Sequence, residues 1–89
     1  MLIQEKRLPL QIKPKLMKQI YNMSAKEIRE LIKQYMKHGV ISRAIQCYER
    51  LLWLGELRQR EYLRLARLYK QQQCENKCKR ILLRYKSLV

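Results

Sequence analysis

Glu27-Ile28-Arg29-Glu30-Leu31-Ile32-Lys33-Gln34-Tyr35 returns, at a shift of 34 residues, as Glu61-Tyr62-Leu63-Arg64-Leu65-Ala66-Arg67-Leu68-Tyr69. Glu27, Leu31 and Tyr35 come back unchanged as Glu61, Leu65 and Tyr69. Further along, Arg50 and Leu54 come back as Arg84 and Leu88. Where the residue changes, its character is kept. Ile28, Ile32, Ala44, Tyr48 and Leu51 give way to Tyr62, Ala66, Cys78, Leu82 and Tyr85, and Lys26, Lys33 and Arg43 to Arg60, Arg67 and Lys77. A fixed period of this length marks a helical repeat.

Local signals divide each unit into two helices. Ser24-Ala25-Lys26-Glu27 predicts a capping box, in which the Ser hydroxyl and the Glu carboxylate each accept a backbone N–H at a helix start. Ile28, Leu31, Ile32 and Tyr35 then fall on one helical stripe. Gly39 ends that helix because it tolerates positive φ. Ser42 is expected to cap the second helix, with Ala44, Ile45, Tyr48, Leu51 and Leu52 inward and Gly55 at its end. The third helix is expected over about 56–72, with Tyr62, Leu65, Ala66 and Tyr69 inward. Asn76 caps the fourth or lies in its first turn, and Cys78, Ile81, Leu82 and Tyr85 form its inner stripe. Short connections make neighbouring helices antiparallel. These periodic Tyr and Leu positions are core residues before they are anything else. Residues 1–23 read as a basic N-terminal extension. Pro9 and Pro14 favour extended chain. A short helix from Pro14 to about Asn22, with Leu16, Ile20 and Met23 as its apolar stripe, either caps the first unit or serves as an arm.

The two units, 24–57 and 58–89, resemble tetratricopeptide repeats. Leu31, Tyr35, Gly39, Ala44, Tyr48 and Leu51 carry the resemblance in the first unit, and Leu65, Ala66, Tyr69, Cys78, Leu82 and Tyr85 in the second. Ile32 stands at the small-residue position that Ala66 fills in unit two, Gln73 stands where unit one has Gly39, and Gly55-Glu56 replaces the closing Pro. The resemblance implies an all-α fold of two stacked antiparallel hairpins. It also implies that the first helix of each unit lines a concave face that binds protein.

Charge says what kind of partner that face suits. Against 21 Lys and Arg stand seven Glu and no Asp, a formal net charge of +14. So strong an excess draws polyanions through the summed field. Lys26, Arg29, Lys33 and Lys37 share one stripe of the first helix, and Arg60, Arg64, Arg67 and Lys70 one stripe of the third. Side by side they form a basic trough. Like charges one turn apart cost roughly 0.2–0.5 kcal/mol per pair, and an anionic ligand offsets that cost better than water does. An acidic protein or peptide segment is the expected occupant, which makes the protein a small adaptor or chaperone. The rival is RNA or DNA, held through phosphates. Five of the six Tyr are claimed by the core, so a stacking platform for bases is weak.

Nothing in the sequence assembles an enzyme. There is one His, no Gly-rich phosphate loop, and no acid–base pair among seven scattered Glu. His38 beside Gly39 reads as a helix-end cation. Cys47 and Cys78 fall on core positions, and Cys74 and Cys78 lack the second pair a metal site needs, so no cofactor or metal is expected. Reduced thiols imply an intracellular, cytoplasmic setting. The longest apolar run, Leu51-Leu52-Trp53-Leu54, is far short of the ~18 residues of a membrane span. Trp53 lies off its helix's main stripe and reads either as a plug toward the third helix or as an exposed anchor. Two repeats are fewer than an isolated array needs. Leu83, Leu88 and Val89 are therefore expected to leave an apolar face where the chain self-associates or joins a complex.

Overall fold

The computed structural model describes residues 20–88, and these are all-α. Four helices follow in order: α1 (Ala25–Lys37), α2 (Ile41–Trp53), α3 (Gln59–Gln71) and α4 (Glu75–Leu88). α1 packs on α2 and α3 on α4, giving two hairpins joined through α2 and α3. α1 and α3 begin and end at the same 34-residue shift seen in the sequence.

The first helix starts as its sequence dictates. Ser24 Oγ accepts from the Glu27 N–H at 3.2 Å, and Glu27 Oε1 accepts from the Ser24 N–H at 2.9 Å. Its end is equally well specified. Gly39 has φ +71°, and the Val40 N–H donates back to the Tyr35 carbonyl at 2.8 Å. The second hairpin makes the same turn with Gln73 at φ +61° and the Cys74 N–H on the Tyr69 carbonyl, also at 2.8 Å. The duplication therefore preserves the turn and loses the residue best suited to it.

Two expected helix starts fall elsewhere. α2 begins after Val40, so Ser42 lies inside the first turn and caps nothing. The turn hydrogen bond from Val40 has already fixed the chain's direction. α3 begins at Gln59 rather than near Glu56, because Gly55 at φ +75° and the Glu56 N–H bonded to the Leu51 carbonyl terminate α2 first. Asn76 sits in the first turn of α4, one of the two places expected for it.

The core runs along both hairpins. Ile28, Leu31, Ile32 and Tyr35 of α1 meet Ala44, Ile45, Cys47, Tyr48 and Leu51 of α2. Tyr62, Leu65, Ala66, Leu68 and Tyr69 of α3 continue it. Burial pushes the Cys47 thiol up to about 12, so the side chain packs as a neutral small hydrophobe. Along α4 only Ile81 is fully buried, while Cys78, Leu82 and Tyr85 are half-buried. Their counterparts Ala44, Tyr48 and Leu51 are closed off by α3, and no further described helix closes α4. Ahead of α1, Ile20–Asn22 form a single turn, with Ile20 buried and Met23 packed against the core. The extension before it, with Pro9, Pro14 and Leu16, lies outside the described residues, as does Val89.

Candidate functional site: a cationic groove between the hairpins

The stripes of α1 and α3 face each other across a groove of about 530 Å³. Lys26, Arg29 and Lys33 line it from α1, and Arg60 and Arg64 from α3. Five of the eight cations singled out by the sequence are thus brought together. Lys37, Arg67 and Lys70 are exposed but stand outside the lining. Arg58, in the segment leading into α3, joins the lining instead. It precedes the first helical turn, so no stripe of helical spacing contains it. Its equivalent in unit one is Ser24, which offers no charge to match.

One member is already engaged. Arg29 Nε donates to Glu61 Oε2 at 2.8 Å, and its Nη2 to Glu61 Oε1 at 2.9 Å. The same Nη2 donates to the Glu56 carbonyl at 2.6 Å. Glu61 is buried, and its Oε1 also accepts the Arg58 N–H at 2.9 Å, as Glu27 accepts that of Ser24. The reciprocal half of that box is missing because an arginine side chain has no acceptor. Burial alone pushes the Glu61 carboxyl up. The Arg29 guanidinium and the Arg58 amide outweigh it and hold the group below the usual carboxylate range. The Glu61 hydrogen bond likewise raises the Arg29 pKa. Arg29 is therefore a structural clasp between the hairpins, with its charge spent on Glu61.

The rest of the groove is short of anions. Glu30 reaches Lys33 at 3.5 Å, but both side chains are mostly exposed, and such pairs are worth about 0–1 kcal/mol. Among the described residues no carboxylate lies at ion-pair distance from Lys26, Arg58, Arg60 or Arg64. The groove floor includes Ile32 and Tyr48, both nearly closed to solvent. The surface on offer is thus a set of exposed cationic heads around a narrow, nearly closed apolar base.

Trp53 is exposed over 76% of its surface, so it does not plug the junction with α3. It stacks on Arg50, whose guanidinium carbon lies 4.6 Å from the Trp53 ring and 4.8 Å from that of Tyr21. Tyr21, at 67% exposed, forms the other side of this sandwich. Both rings border a cleft lined by Ile20, Gln46 and Glu49, apart from the cationic groove. Leu83 and Leu88 are exposed, as expected for the apolar face. No described helix is long and apolar enough to cross a membrane.

Comparison with protein-family models, curated proteins and solved structures gives no match for this chain.

Proposed function

We propose that the protein is a non-catalytic adaptor or chaperone of tetratricopeptide type that holds an acidic protein segment in the groove between α1 and α3. The observation carrying this reading is the imbalance of the lining. Six cations and two carboxylates face the groove, and Glu61 is consumed by Arg29 and the Arg58 amide. Lys33 has only the exposed Glu30 beside it, and Lys26, Arg58, Arg60 and Arg64 have no carboxylate at ion-pair distance among the described residues, so these cations are left to meet an outside anion. Ile32 and Tyr48 beneath them are nearly closed to solvent, so the cations carry the recognition and the occupant is chosen by its acidic side chains. A nucleic acid strand competes for the same charges. The groove offers it no exposed ring to stack on, since Tyr48 is only 4% exposed and Tyr21 and Trp53 border a different cleft.

The test is titration of nuclease-treated protein with an acidic peptide and with a single-stranded oligonucleotide, each across a salt series. The expected result is saturable peptide binding that weakens about tenfold or more in Arg60→Glu/Arg64→Glu. Unchanged peptide binding in that variant removes the groove as the site. Tighter oligonucleotide binding with a steep salt dependence, alongside no peptide binding, replaces the protein partner with a nucleic acid.

A further inference from the structure

The internal duplication says what covers the open side of the second hairpin. In the first hairpin that side is filled by α3. Two polar clasps hold it there: Arg29 on Glu61, and the Tyr69 hydroxyl donating to Glu49 Oε2 at 2.6 Å. Shifted by 34 residues, the same seat lies on α3 and α4. There it is an open groove of about 500 Å³ lined by Leu63, Leu82, Leu83 and Tyr85, with Lys79 and Lys86 beside them.

The substitutions at this second seat are directional. Leu63 stands at the position of Arg29, and Leu83 at the position of Glu49. Both polar clasp positions have become leucine, and those leucines are 43% and 64% exposed. The buried Ile45 and the half-buried Leu52 correspond to the exposed Lys79 and Lys86. The seat has thus lost its polar contacts at the centre and gained cations beside them. A helix built like α3 does not suit it, because its Glu61 and Tyr69 equivalents would face leucines. A second copy of this chain does not suit it either. Two such faces together oppose four lysines, on chains of formal net charge +14 each.

We infer that the α3–α4 face is a docking site for an amphipathic helix of another protein, with aliphatic residues over Leu63 and Leu83 and carboxylates reaching Lys79 and Lys86. The helix lies on the second hairpin as α3 lies on the first. Its burial of the exposed leucines supplies the affinity and the lysines fix its direction and partner choice. This interface is separate from the cationic groove and does not depend on its occupant.

The probe is a labelled, hydrocarbon-stapled helical peptide of about four turns with a leucine stripe flanked by glutamates. Its controls carry lysine flanks, or serines in place of the leucines. Fluorescence anisotropy is expected to show saturable binding of the first peptide and at least about tenfold weaker binding of both controls. Leu63→Ser and Leu83→Ser, each checked for retained helicity by circular dichroism, are expected to weaken binding by about tenfold. Lys79→Glu/Lys86→Glu is expected to reverse the preference between glutamate and lysine flanks. Arg60→Glu/Arg64→Glu is expected to leave binding unchanged. The inference is overturned if all three peptides bind alike, if the leucine variants bind as wild type, or if the groove variant abolishes binding. It is also overturned if sedimentation shows a dimer that Leu83→Ser dissolves, since the occupant is then a second copy.

Discussion

The Arg29 guanidinium grips the Glu61 carboxylate with two parallel hydrogen bonds of 2.8 and 2.9 Å, tying the first helix of one hairpin to the first helix of the next. The hairpins share few other polar contacts, so this clasp fixes how the cationic stripes face each other. Arg29→Met leaves Glu61 buried without its partner and is expected to cost about 2–4 kcal/mol. Glu61→Gln is expected to cost less, since it keeps a hydrogen-bond acceptor. The double variant Arg29→Met/Glu61→Gln is expected to lose less than the two single changes summed. Urea unfolding followed by circular dichroism checks the ordering. Additive losses contradict a direct pair.

Acid is expected to weaken the same junction. The folded protein holds the Glu61 carboxyl below its ordinary value of about 4.3. The folded state therefore binds fewer protons than the unfolded chain between those two values. The stabilisation is complete above the ordinary value and is lost as pH falls through the folded one. Urea midpoints measured downward from neutral pH are expected to drop less steeply in Glu61→Gln than in wild type over that window. Identical acid limbs rule out a contribution from this group.

The two hairpin turns invite a reciprocal exchange. Gln73 adopts φ +61°, where a side chain costs about 1–2 kcal/mol relative to right-handed helical angles. Gln73→Gly is expected to raise stability by about 0.5–1 kcal/mol, less than the full relief because glycine also gains freedom in the unfolded chain. At Gly39 an added Cβ meets nothing within 4 Å, so only the backbone resists it. Gly39→Gln is expected to cost about 1 kcal/mol. Opposite signs for the two changes are the test, read as thermal midpoints.

Arg50 lies between Tyr21 and Trp53 and donates from Nη2 to the Tyr21 carbonyl at 3.2 Å. It thereby fastens the turn before α1 to α2. Arg50→Ala is expected to cost about 1 kcal/mol and to alter the fluorescence of the single tryptophan. Arg50→Lys is expected to rescue only part of the loss, because an ammonium does not stack between two rings as a planar guanidinium does. Full rescue by lysine means that charge alone matters there.

Much of this architecture was legible in the chain. The 34-residue period, the capping box at Ser24 and the stop at Gly39 follow from residue type and spacing, and they place four helices in two hairpins. What spacing does not reveal is which charges a neighbour neutralises. Arg29 looks like any other cation of its stripe, because Glu61 lies 32 residues away and on another helix. The recurrence of Glu27 as Glu61 gave no clue either, since Glu27 makes the same capping contact and is exposed while Glu61 is buried. Arg58 was missed because it precedes its helix. Ser42 misled because a good capping residue does not start a helix where the preceding turn has already begun one. Trp53 off its stripe favoured a plug somewhat over an exposed anchor, yet the ring lies outside, stacked on Arg50.

Cys47 of α2 is wholly enclosed in the core, and its thiol is pushed up to about 12, while Cys74 and Cys78 are half-buried. At neutral pH a thiolate-selective reagent therefore meets three cysteines of unequal reach. The pair near α4 reports on the open end of the molecule. Cys47 becomes modifiable only when the core around it opens, so its alkylation rate is a chemical clock for that opening, readable by mass spectrometry without any introduced label.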